Sequence, residues 1–258
     1  MRFFATFLMM TYILPAQAEE LVKQHSTGRI LDLKYNFKEA GREMSFSLYL
    51  PKAYTDKKKW PLVVALHGLF SNPWQMIRYP GLTAQAEKYG FIVVAPMGYN
   101  SMGWYGSRGQ KSNLSLPKNL GELSEKDVLN VVANTQKEFS VDAHNIFLMG
   151  HSMGGGGTWH LGMKYPEKWA VLAPLAPAAP KNIDDLKKIK GKPIIMVMGT
   201  SDFLWQSGLS WVAEMKKLKM NYKYIEVKEG GHLLPVIQKL PEVFAFFEKH
   251  RHKPLKKP

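Results

Sequence analysis

Five short stretches of this chain are almost continuously apolar: "PLVVALHG" (61–68), "FIVVAPMG" (91–98), "NIFLMGH" (145–151), "WAVLAPLAPA" (169–178) and "PIIMVMG" (193–199). A strand with one face in water alternates apolar and polar residues. A strand without alternation must be covered on both faces. Between these runs lie stretches with helical periodicity: Thr83 to Tyr89, "SEKDVLNVVANTQKEF", Thr158 to Tyr165, "SGLSWVAEMKKLKM" (207–220) and "PEVFAFFEKHR" (241–251). In the second of these, Val128, Val131, Val132 and Phe139 form one stripe, and Ser124 with Asp127 three residues on reads as an N-cap and capping box. Strands alternating with helices imply a parallel sheet with right-handed crossovers. "RILDLKYNF" (29–37) and "MSFSLYLP" (44–51) do alternate, and predict an antiparallel edge pair turning at Ala40-Gly41. "YKYIEVK" (222–228) adds a more polar late strand. The expectation is an α/β protein with a mostly parallel, eight-stranded-type sheet, helices on both faces and a single domain over 19–258.

Composition limits the chemistry. With 258 residues, 45% of them hydrophobic, the chain can bury a core of its own. Cysteine is absent, which excludes disulfides, thiolate metal sites and a cysteine nucleophile. No H-E-x-x-H spacing occurs, so neither a metal nor another cofactor is expected. The start, "MRFFATFLMMTYILPAQAEE", has a basic residue, an apolar run from Phe3 to Leu14 and the small-x-small site Ala16-Gln17-Ala18. It reads as a secretory signal peptide spanning 1–18, with an uncleaved N-terminal anchor as the alternative; cleavage predicts a secreted or periplasmic protein without stable membrane insertion. The formal net charge is +14. The lysines are scattered and accompany no nucleic-acid-binding motif, so no nucleic-acid partner is expected, and the basic surface favours anionic polymers.

"MGHSMGGGG" (149–157) sets five glycines and one serine at the start of a helix. A linker is a poor reading, because an apolar strand and a helix press on both sides. A phosphate loop needs a lysine after the glycines, and none follows. Gly150-His151-Ser152-Met153-Gly154 fits G-x-S-x-G between a strand and a helix, a sharp turn that displays a serine hydroxyl as a nucleophile. Gly150 and Gly154 are required where a Cβ would collide with neighbouring backbone.

A nucleophilic serine needs a base, and the base needs an orienting carboxylate. His160 lies on the following helix, and His250 and His252 lie in a charged tail. His232, in "KEGGHLLP", follows the last strand and is assigned as the base. Asp202, after "PIIMVMGTS", is the orienting acid ahead of Asp184 and Asp185, and can double as a helix cap. Two backbone donors for an oxyanion are expected from Met153, after the nucleophile, and Leu69, in the loop "LHGLFSN". His67 in that loop is read as structural.

Together, "LHGLF", "GHSMGG", "GTSD" and "GGH" resemble the α/β-hydrolase superfamily, in order and spacing, over roughly Arg29 to Arg251. "PLVVALHGLFSNP" and "GFIVVAPMGYNSMGWYG" are similar to secreted esterases of the feruloyl esterase and polyhydroxybutyrate depolymerase type, and to prolyl-oligopeptidase-like catalytic domains. "GHSMGGGGT" is also similar to bacterial cutinases, from which "HGLF" departs. The resemblance implies an acyl-enzyme mechanism, with Ser152 attacking, His232 shuttling the proton, Asp202 fixing the imidazole, and Leu69 and Met153 holding the oxyanion. The implied substrate is a small-molecule or polymer-linked ester of short-chain or aromatic acyl type; a polyester and a peptide are the alternatives, and a non-catalytic binding protein the remote one. Between 179 and 192 only "DDLKKIK" is helical, which predicts a minimal lid and an open site. Phe70, Trp104, Tyr105, Phe203 and Trp205, with Tyr99 and Trp74 beside them, are the aromatics expected to meet substrate.

Overall fold

The computed structural model describes residues 27–110 and 117–252. The signal-peptide segment and the lysine-rich end after His252 lie outside the described residues. Eight strands form one sheet: β1 (Ile30–Phe37), β2 (Arg42–Tyr49), β3 (Trp60–Leu66), β4 (Ile92–Pro96), β5 (Val141–His151), β6 (Val171–Leu175), β7 (Ile194–Gly199) and β8 (Tyr222–Val227). Their order is β1-β2-β4-β3-β5-β6-β7-β8. The β1–β2 and β2–β4 pairs are antiparallel and the rest parallel. β1 and β2 turn through a short 3-10 segment ending at Gly41, whose φ of 60° suits glycine.

The apolar runs divide residue by residue between two cores. Leu62, Val64 and Leu66 of β3 face one cluster and Val63 and Ala65 the other. β5 divides likewise, with Ile146 and Leu148 against Phe147 and Met149. This period of two, apolar on both faces, is why the runs show no alternation. On the first face pack α3 (Leu120–Glu138), α4 (Met153–Lys164) and α5 (Trp205–Lys217). On the second lie α1 (Pro73–Ile77), α2 (Leu82–Tyr89), α6 (Leu234–Gln238) and α7 (Leu240–Lys249). Phe247 of α7 stands 5.1 Å from Phe147, which meets Phe91 edge-on at 5.3 Å. Emptying a site of this kind costs about 3–5 kcal/mol per Phe→Ala.

One expected helix start is corrected. The helix containing Ser124 begins four residues earlier, with Asn119 at the cap position, so Ser124 lies inside α3 and is fully buried. Its Oγ accepts the Tyr105 N–H at 3.0 Å, and Asp127 accepts the Tyr35 hydroxyl and the Gly98 N–H, each at 2.6 Å. Both side chains anchor the loop after β4 instead of capping a helix. Burial, outweighing those hydrogen bonds, pushes the Asp127 pKa up to about 6.

The interval 179–192 holds one seven-residue 3-10 segment, Ile183–Ile189, docked through Leu186 and Ile189. Among the described residues, no helix is long and apolar enough to cross a membrane.

Candidate active site

The parallel strands all end at the same edge of the sheet, and the sequence-predicted residues follow those ends. β3 and β5 are neighbours, with Leu66 opposite Gly150, so the loop beginning at His67 emerges beside Ser152. The chain leaves β3 for β4 on one side and reaches β5 on the other, which opens a crevice at the carboxyl ends of the strands.

Ser152 stands between β5 and α4 with φ 59° and ψ −114°, a strained conformation for a residue with a side chain. Three backbone hydrogen bonds hold it there. Its N–H donates to Leu175 O at 3.0 Å, and its carbonyl accepts from Gly156 at 3.0 Å and Ala178 at 2.9 Å. A Cβ on Gly150 would overlap the Gly154 carbonyl, and one on Gly154 would overlap the Leu66 carbonyl. Both glycines therefore allow β3, β5 and α4 to close around the turn.

Asp202 and His232 come together. His232 Nδ1 lies 2.8 Å from Asp202 Oδ2, and the Asp202 side chain is fully buried. A carboxylate only accepts, so Nδ1–H is the donor, and in the neutral ring Nε2 holds the lone pair. Asp202 Oδ1 accepts the Leu204 N–H at 2.8 Å, which closes the turn leading into α5; the N-cap of that helix is Leu204, so Asp202 does not cap it.

Gly68 packs against Ser152: a Cβ on it would lie 3.5 Å from the serine Cβ. Among the described residues, no acceptor is bonded to the Leu69 amide, and the Met153 amide is the first N–H of α4, which no helical carbonyl reaches. His67 is fully buried and ties this loop to the next, with Nδ1 2.7 Å from Gly68 O and Nε2 2.8 Å from Met97 O. Burial lowers its pKa while the two carbonyls act to raise it.

The aromatic residues separate into two groups. Phe203 (78% exposed) and Phe70 (72% exposed) stand in solvent, and the Phe203 ring lies 4.7 Å from that of His232. Tyr105 is a correction: it is fully buried, packs on Gly157 and donates its hydroxyl to His67 O at 3.2 Å, so it supports the loop and cannot touch a ligand. Trp104 is half-buried under the Arg108 guanidinium at 3.9 Å, and Trp205 is half-buried with Nε1 donating to Glu226 at 3.1 Å. Among the described residues the exposed large hydrophobic side chains are Leu69, Phe70, Trp74, Met102, Phe203, Leu233 and Leu234. Each lies in a segment that follows the carboxyl end of a strand.

His160 is fully accounted for elsewhere. Its Nε2 meets Glu125 Oε2 at 2.7 Å, and the other Glu125 oxygen accepts from Lys164 and Tyr165, each at 2.6 Å. Burial acts to raise the Glu125 pKa, but the hydrogen bonds from His160, Lys164 and Tyr165 outweigh it and hold the carboxyl at about 2.

The sequence reading passed over His151. It is buried, its ring lies 4.7 Å from the His232 ring, and its nitrogens contact Tyr79 Oη at 2.9 Å and His232 O at 3.0 Å. Its place as the variable residue of G-x-S-x-G hid it; the available signal was an imidazole at the end of a buried strand, which must find polar partners. Among the described residues, no group of three or more His, Cys, Asp or Glu could hold a metal ion.

Known proteins are similar to this chain in sequence or in fold. The chain is 27% identical over 165 residues to the bifunctional acetylxylan esterase/xylanase XynS20E of Neocallimastix patriciarum, covering 64% of this chain and 22% of that protein. It is 35% identical over 138 residues to the human acylamino-acid-releasing enzyme, covering 52% of this chain and 18% of the relative. It thus spans about a fifth of the length of these two curated relatives. A solved ferulic acid esterase from Anaeromyces mucronatus, in complex with ferulic acid, superposes with a TM-score of 0.66 at 18% identity, over 85% of this chain and 89% of that one. The fold is that of the α/β-hydrolases. A family model described as "Putative esterase" matches residues 38–232, from the end of β1 to the histidine beside Asp202, and the chain belongs to this esterase family.

Proposed function

We propose that the protein is a secreted serine carboxylesterase that hydrolyses short-chain or aromatic acyl esters, free or carried on a polysaccharide. The observation that carries this reading is the His232–Asp202 contact at 2.8 Å, at the same edge of the sheet as a serine in a strained strand-to-helix turn. Ser152 Oγ attacks the acyl carbon as its proton passes to His232 Nε2. The oxyanion accepts from the Leu69 and Met153 amides. The tetrahedral intermediate collapses, the alcohol leaves with the proton from His232, and a deprotonated water repeats the sequence on the acyl-enzyme. Acetyl and feruloyl esters are favoured by the names of the relatives and by the exposed Phe70 and Phe203. Secretion rests on the N-terminal segment 1–18, which leaves 19–258 as the catalytic domain, and the +14 charge favours an ester on an anionic polymer.

Peptide-bond cleavage is the second reading, favoured by the 35% identity to the acylamino-acid-releasing enzyme. The two are separated by treating the purified protein with a fluorophosphonate and assaying p-nitrophenyl acetate, methyl ferulate and an acylated peptide amide. Labelling at Ser152 with ester turnover is expected. An unlabelled Ser152 overturns the serine-hydrolase reading, and amide turnover without ester turnover overturns the esterase reading.

A further inference from the structure

We infer that His151 and Tyr79 form a positioning pair that sets the backbone of His232, a role that rests on the esterase reading above. A backbone carbonyl can only accept, so the 3.0 Å contact from His151 Nε2 to His232 O makes Nε2–H the donor. Nδ1 is then unprotonated and accepts the Tyr79 hydroxyl at 2.9 Å. The two contacts select one neutral tautomer. Burial, and after it the nearby His232, press the His151 pKa down to about 4, which keeps the ring neutral at physiological pH.

Neither nitrogen has a lone pair free for a substrate or for Ser152. His151 therefore cannot replace His232 as a base, although it precedes the serine in sequence. What it does is mechanical. His151 ends β5, so its backbone is part of the sheet, and its ring is fixed from behind by Tyr79. His232 sits in a glycine-preceded loop after β8, with Asp202 holding its side chain on one flank. The His151 ring packs against it at a tilt of 42°, 4.7 Å from the His232 ring, and its N–H fixes the loop carbonyl. The imidazole is thus tied both to Asp202 and to the strand that carries Ser152. A loop shift of about 1 Å at a reacting group lowers a rate by up to about a hundredfold, so such a tie bears directly on turnover.

The test uses three variants of the full protein. His151→Phe keeps a flat ring and removes both polar contacts. His151→Gln places an amide N–H where Nε2–H stood. Tyr79→Phe removes only the hydroxyl. Active-site titration with a fluorophosphonate gives the reactive fraction, and rates are expressed per reactive site, so that partial unfolding does not count as lost catalysis. For His151→Phe, kcat and the labelling rate of Ser152 are expected to fall together by about tenfold. KM should stay within about twofold, because no ground-state contact with substrate is lost. His151→Gln should recover most of the loss, and Tyr79→Phe should cost about threefold through the freed tautomer. Full per-site kcat in both His151→Phe and Tyr79→Phe, with the wild type reactive, overturns the positioning role alone. So does a loss in His151→Phe that His151→Gln fails to recover. A wild type that neither labels nor turns over overturns the esterase reading and, with it, this inference.

Discussion

Asp202 holds His232 with one carboxylate oxygen and its own loop with the other: Oδ2 meets Nδ1 at 2.8 Å while Oδ1 accepts the Leu204 N–H at 2.8 Å. Asparagine can serve only one of these partners as an acceptor. With its oxygen on Leu204, the amide NH2 would face Nδ1 and impose the wrong imidazole tautomer. Asp202→Asn should therefore lower kcat by about 10⁴ with the fold intact. Asp202→Ala loses the hydrogen bond to Leu204 as well and should cost a further ~1 kcal/mol of stability. Steady-state kinetics beside thermal melts separate the two effects; equal melts for both variants would contradict the part assigned to the Leu204 bond.

Ser152 carries a backbone conformation that glycine adopts freely and alanine does not. Ser152→Gly and Ser152→Ala should both abolish turnover. The glycine variant should be more stable than the alanine variant by about 1 kcal/mol or more, the strain released. Chemical denaturation of the two inactive proteins measures this directly, and an alanine variant as stable as the glycine variant would place no strain at this turn.

Glu125 links α3 to α4 through His160, Lys164 and Tyr165. Its folded pKa of about 2 lies below the ordinary 4.5, so the stabilisation it gives is fully present above that ordinary value. That stabilisation is lost as pH falls from there through the folded value. Glu125→Gln should be less stable at neutral pH by about 1–2 kcal/mol, since the His160, Lys164 and Tyr165 donors lose a charged acceptor. The variant should also lose part of the fall in melting temperature that the wild type shows in acid. An unchanged acid slope would remove Glu125 from that dependence.

His160 belongs to this cluster and not to the crevice chemistry. His160→Ala should keep more than a tenth of wild-type turnover, a barrier change below about 1.4 kcal/mol. A larger loss in a folded variant would mean that the base was assigned to the wrong histidine.

Phe203 lies exposed beside the His232 ring, where an aromatic acyl group could stack on it. Phe203→Ala should lower kcat/KM for methyl ferulate by about fivefold, near 1 kcal/mol of ring contact. It should leave p-nitrophenyl acetate nearly unchanged. Equal losses on both esters would assign Phe203 to support of His232 instead.

The parts of this protein that were legible in its sequence are those in which one local rule decides. The run Leu62 to Leu66 could only be a strand with two covered faces, and its side chains do divide between two cores. Gly150 and Gly154 could be read because backbone crowding leaves no other residue. The pairing of Asp202 with His232 was legible because each follows the end of a strand, but the helix cap expected of Asp202 is not made: the N-cap of α5 is Leu204, and Asp202 Oδ1 closes a two-residue turn before it. Three features depended on distant partners. Ser124 looked like a helix cap, since a serine beside a glutamate and an aspartate usually is one, but its partner is a loop amide 19 residues back. Tyr105 looked like a substrate aromatic because it shares a loop with Trp104; the space against Gly157 admits its ring into the core. His151 gave no periodic signal, because its two partners lie 72 and 81 residues away.

Those separations have a kinetic consequence. Contacts between residues so far apart in the chain close late, after the loops between them have given up their entropy. His232 can meet His151 only once β5, β6, β7 and β8 are aligned, whereas the turn closed by Asp202 spans two residues and can form early. During refolding, helical signal and tryptophan burial should therefore return before Ser152 becomes reactive, which makes a fluorophosphonate a clock for the last step of assembly.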